Sequence, residues 1–197
     1  MADIVLFHSI LGLRPGVLAA ADRFRTAGHT VHTPDLYEGA VFEDYRLAER
    51  KFEQLGVEGL LRRTEESVAD LPEDLVYAGF SNGGASAAHL AATRPGALGA
   101  LMLHSSLPLA MMRLPSWPAS VPVQVHYGEG DPWRRQEWVD AMAADVRASG
   151  AGYEYFSYPV NGHLFTDPTL PEEYHEESAE LLFQRALAFV GELGRGR

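Results

Sequence analysis

Short apolar runs alternate with amphipathic stretches along the whole chain. Six runs, residues 3–8, 29–34, 75–80, 98–104, 121–127 and 153–158, read as strands from their length and their β-branched, leucine or aromatic content. The first, DIVLFH, lacks strict polar alternation, which predicts a strand buried on both faces. Helical periodicity covers residues 14–27, 46–68, 82–94, 133–148 and 171–193. Gly28 stops the first helix and Pro95-Gly96 the third, and Gly56 and Gly59 predict a break in the second. Residues 35–45 and the proline-rich residues 105–120 read as loops. This alternation predicts an α/β fold: one domain over residues 1–197, a six-stranded, mainly parallel sheet, right-handed crossovers and helices on both faces.

Composition narrows the chemistry more than the fold. The chain has no cysteine, which excludes disulfides, thiolate metal sites and a thiol nucleophile. A net charge of −11 argues against a nucleic-acid partner. No apolar run reaches the roughly 18 residues a membrane span needs, and the opening residues carry no basic leader, so the expectation is a cytoplasmic protein. The first strand–helix turn, SILGLRPG, has neither the G-x-G-x-x-G nor the Walker pattern. The glutamates between residues 172 and 180 read as a helix start and a solvated face.

One turn stands out. Gly79-Phe80-Ser81-Asn82-Gly83 follows a strand and opens a helix of small residues, as a G-x-S-x-G nucleophile elbow does. Glycine is needed where side chains would collide at such a turn, and the helix N-terminus favours negative charge near Ser81. A serine nucleophile needs a base, and the base needs a carboxylate to orient it. Glu129 and Asp131 both follow the fifth strand, and Asp131 is the better placed, in a Gly-Asp-Pro turn. His163 follows the last strand after a glycine, whereas His8, His32, His104 and His126 fall on or beside strands and read as structural. The amides of Asn82 and Ile10 are the candidates for an oxyanion hole. Loops above the strand C-termini place Tyr37, Trp117, Trp133 and Phe165, with Ser9, His104 and the Met111-Met112 pair, as candidate pocket walls.

Taken together, IVLFHSILG, TPDLYEG, the elbow, the Asp131 turn and Gly162-His163-Leu164-Phe165 resemble the dienelactone hydrolase family of the α/β-hydrolase superfamily. The resemblance implies a sheet of order 2-1-3-4-5-6 without a large cap domain. It also implies a triad of Ser81, Asp131 and His163 acting on a small ester, thioester or lactone, with no cofactor or metal. Three departures are visible: Ser81 where the best-known members have cysteine, Ser9 where they have glutamate, and Asp167 where they have an arginine that holds a substrate carboxylate. The expectation is therefore a serine hydrolase that prefers neutral substrates. Acyl transfer through the same residues and a non-catalytic binding domain are the alternatives. Oligomeric state is not legible.

Overall fold

The computed structural model describes residues 1–195. Its elements are β1 (Asp3–Phe7), α1 (Pro15–Thr26), β2 (Thr30–His32), α2 (Tyr45–Glu66), β3 (Leu75–Phe80), α3 (Asn82–Thr93), β4 (Gly99–Leu103), β5 (Val123–Gly128), α4 (Gln136–Ala148), β6 (Tyr153–Tyr158) and α5 (Glu176–Leu193). The six strands are all parallel and lie in the order β2-β1-β3-β4-β5-β6. No cap domain is present, and none of the helices is long and apolar enough to cross a membrane among the described residues.

Strand periodicity divides the core in two. Ile4, Leu6, Val76, Ala78 and Leu101 face the apolar stripes of α1 and α5, represented by Val17, Phe24, Leu182 and Phe183. Val5, Phe7, Tyr77, Met102 and Val125 face the other way, onto Leu60 of α2, Leu90 of α3 and Met142 of α4. Successive strand residues point to opposite faces, so the central strands are apolar at almost every position.

Two helix starts lie inside the ranges read from periodicity, each for a local reason. α4 starts at Gln136 because residues 131–135 form a turn closed by the Asp131 side chain, which accepts from the Trp133 amide at 2.8 Å. α5 starts at Glu176, after turns at 168–175, where His175 accepts from the Ser178 amide. α2 is interrupted at Gly56, where the glycine signal predicts a break: a φ of 69° and a ψ of 166° leave the helical region, and the first half of the helix, from Tyr45, leans over the C-terminal edge of the sheet.

Candidate active site

The site is built where β1, β3, β5 and β6 end. Ser81 terminates β3 and caps α3 with φ 51° and ψ −117°, a strained conformation for a residue with a Cβ. Its amide donates to the Leu103 carbonyl of β4 at 2.7 Å, and its carbonyl accepts from Gly84 at 2.8 Å. The surrounding glycines are sterically required. A Cβ on Gly79 would collide with the Gly83 carbonyl, one on Gly83 with the Phe7 and His8 carbonyls, and one on Gly84 with Ser105.

Adjacent strands bring the other two residues together. β5 and β6 pair in register from Val123↔Tyr153 to Gly128↔Tyr158, so the loops that follow leave the sheet at the same level. The Gly130 amide donates to the Val160 carbonyl at 3.0 Å, and the Asn161 side chain lies over the space a Gly130 Cβ would occupy. His163 Nδ1 then lies 2.6 Å from Asp131 Oδ2, and His163 Nε2 lies 2.6 Å from Ser81 Oγ. With Nδ1–H donating to the carboxylate, Nε2 carries a lone pair able to accept a hydrogen bond from the serine hydroxyl. The histidine is 4% exposed, and the Asp131 side chain is fully buried, with its second oxygen held by Trp133. Glu129, the other candidate carboxylate, is exposed and among the described residues accepts from Ser157 alone.

The loop after β1 is held from beneath. The Leu36 amide donates to His8 Nε2, which fixes the other nitrogen as the donor to the Ser9 carbonyl at 2.7 Å. Burial lowers the His8 pKa and keeps the ring neutral. Ser9 Oγ accepts from Leu11, and the Ser9 carbonyl also accepts from Gly12. This leaves the Ile10 amide without an acceptor among the described residues. Asn82 is the first residue of α3, so its amide has no acceptor inside the helix.

A cleft of about 420 Å³ opens over these groups; Ser81, His163, Asn82 and Ile10 all line it. Of the candidate walls read from sequence, Trp133 and His104 line it as well. The others lie elsewhere. Ser9 is buried under its own loop. Tyr37 is buried against His8 and Phe42. Burial pushes its phenol up to about 12, with the Asn82 side chain offsetting this in part, and its hydroxyl makes no hydrogen bond of acceptable geometry. Trp117 is buried with its Nε1 donating to the Val121 carbonyl, so it plugs the long loop. Phe165 is fully buried behind His104 and Tyr158. Met111 is exposed, and neither it nor Met112 reaches the cleft.

Sequence reading missed the wall supplied by α2. Tyr45, Glu49 and Phe52 face the cleft, and their i, i+4, i+7 spacing was the available signal. Tyr45 donates to Glu173 at 2.7 Å, and Glu173 accepts from the Leu164 amide at 2.6 Å, tying α2 to the loop that carries His163. The Tyr45 and Trp133 rings meet at 4.6 Å, and Trp133 meets the His163 ring at 4.7 Å. Sequence left the orientation of Asp167 open. It does not line the cleft; it lies at the start of α1, where Arg14 reaches it at 3.4 Å.

The comparisons agree with this architecture. The model of the dienelactone hydrolase family matches residues 2–194. The chain belongs to that family. Among solved structures, the protein m3DLH is similar with a TM-score of 0.79 at 22% identity, over 97% of this chain and 86% of that one. A dienelactone hydrolase-like promiscuous phosphotriesterase from metagenomic libraries has a TM-score of 0.78 at 21% identity, over 98% and 87%. A thermophilic esterase of the planctomycete Thermogutta terrifontis has 0.64 at 16%, over 98% and 84%. At these identities the likeness is one of fold, the α/β-hydrolase fold. No curated protein matches the chain. Membership in the dienelactone hydrolase family supports ester hydrolysis as the class of activity.

Proposed function

We propose that the protein is a serine hydrolase that cleaves a small ester, thioester or lactone through an acyl-enzyme on Ser81. The observation that carries this reading is the unbroken relay from Ser81 Oγ to His163 Nε2 and from His163 Nδ1 to Asp131 Oδ2, both at 2.6 Å, at the floor of a cleft. Ser81 Oγ attacks the carbonyl carbon while His163 Nε2 takes its proton. The carbonyl oxygen becomes an oxyanion, and the Asn82 and Ile10 amides supply its donors. His163 returns the proton to the leaving oxygen or sulfur as the C–O or C–S bond breaks. Water then adds to the acyl-enzyme with His163 as base, and Ser81 leaves with its proton restored. Asp131 holds the imidazole tautomer and stabilises the cation formed in each half.

The test is labelling with a fluorophosphonate followed by peptide mapping. The label is expected on Ser81 in the folded protein and absent from a Ser81→Ala variant. An unlabelled wild-type protein, or a label on another serine, would remove Ser81 from the reaction.

A further inference from the structure

The cleft has a one-sided chemistry. Among the described residues Glu49 is the one carboxylate in its lining, and no lysine or arginine lines it. Glu49 stands one turn after Tyr45 and one turn before Phe52 on the same face of α2, so an aromatic ring flanks the carboxylate on each side. Trp133, against Tyr45, and Trp138, in the first turn of α4, add two indole rings to the same cleft. Glu49 has no ion pair or hydrogen bond among the described residues. Arg46 and Glu53, one turn away on either side, are outside the cleft lining. The carboxylate is exposed and free to meet a ligand.

We propose that this cleft takes esters whose acyl or alcohol part carries a permanent cation of the quaternary ammonium type, received by Glu49 and the surrounding rings. The proposal rests on the hydrolase reading of Ser81 for its chemistry and on the cleft lining for its specificity. A quaternary ammonium is weakly hydrated, presents its charge through methyl groups and is attracted to the negative face of aromatic rings. A carboxylate among those rings adds a direct Coulombic attraction. An anionic substrate meets the opposite situation. Asp167, where the resemblance to the family placed a substrate-binding arginine, lies outside the cleft and is paired with Arg14, and no other cation replaces such an arginine in the lining.

The experiment compares p-nitrophenyl esters of one acyl length ending in trimethylammonium, tert-butyl or carboxylate, with wild type and Glu49→Gln. The expected order of kcat/KM in wild type is cation, then neutral, then anion. An exposed contact of this kind is worth about two- to fivefold, so the cation-to-neutral ratio should fall by that factor in Glu49→Gln. A ratio at or below one in wild type, or a ratio that Glu49→Gln leaves unchanged, overturns the proposal. If wild type cleaves none of the three esters, the hydrolase reading fails on its own. The cation site is then decided by tryptophan fluorescence titration of choline against 3,3-dimethylbutan-1-ol, its neutral isostere. Tighter binding of choline that weakens in Glu49→Gln supports the site, and equal binding overturns it.

Discussion

At the scale of single residues, Ser81 combines two costs: a backbone at φ 51° and a hydroxyl committed to His163. Positive φ is unfavourable for any residue with a Cβ, by about 1–2 kcal/mol, and is nearly free for glycine. Ser81→Ala and Ser81→Gly both remove the hydroxyl, but only glycine relieves the turn. Ser81→Gly is therefore expected to unfold at higher urea concentration than Ser81→Ala, with both inactive on an activated ester by roughly 10³-fold or more. Equal midpoints would mean the turn stores no strain at this residue. The two carboxylates after β5 give a second residue-scale prediction. Asp131→Asn should lower kcat by about 10⁴-fold, because an amide holds the wrong imidazole tautomer. Glu129→Gln should change it little, since Glu129 is exposed and bonds Ser157 rather than His163. Steady-state kinetics on the two variants checks this, and the reverse ranking would reassign the orienting carboxylate.

At the scale of elements, the His163 loop is held to the body by a buried ion pair and its hydrogen bonds. Arg14 pairs with Asp167, donates to the Phe42 carbonyl at 2.7 Å and reaches both Thr169 oxygens; the Arg14 and Asp167 side chains are 7% and 10% exposed. Thr169 in turn donates twice to Asp167. One guanidinium thus joins the entry of α1, the loop before α2 and the segment after His163. Removing one partner of a buried pair leaves the other charge and its acceptors unsatisfied, at a cost of about 3–5 kcal/mol. Arg14→Ala should therefore lower the unfolding free energy by about 3 kcal/mol in urea titration, whereas a loss under about 1 kcal/mol would show the pair to be solvated. Asp167→Arg should destabilise the fold as well, by placing two guanidinium groups together.

At the scale of the whole molecule, the sheet and its edges bury three histidines in neutral form. Burial lowers the pKa of His8, burial together with His163 and His126 puts His104 well below its ordinary value, and burial with Arg185 nearby takes His126 down to about 3. His126 is nonetheless satisfied on both nitrogens, by Tyr158 and Gln124. In the unfolded chain each takes up a proton near pH 6.5. The folded state therefore binds fewer protons than the unfolded state below that pH, and unfolding is favoured as pH falls. The loss starts at about pH 6.5 and for His126 continues down to about pH 3, at about 1.4 kcal/mol per pH unit for each proton excluded. Urea midpoints should accordingly drop between pH 7 and pH 5; unchanged midpoints would mean that these rings are protonated in the folded state.

Local pattern determined much of this protein. The apolar runs placed all six strands, because a strand buried on both faces leaves an uninterrupted signature. Gly79, Ser81 and Gly83 announced the elbow because all three lie within one five-residue turn, although only the Gly79 collision, with the Gly83 carbonyl, is local to it; Gly83 is held against the end of β1. Asp131 and His163 could be named because each follows a strand, and parallel strands deliver their loops to one edge of the sheet. What lines the cleft was decided by tertiary structure. Tyr37, Trp117 and Phe165 belong to the right loops but turn into the core, since an aromatic ring gains more from burial than from exposure at a rim. Tyr45, Glu49 and Phe52 became walls only when α2, broken at Gly56, leaned across the sheet. The partner of Asp167 lies 153 positions earlier in the chain, and no local signal carries a contact of that range.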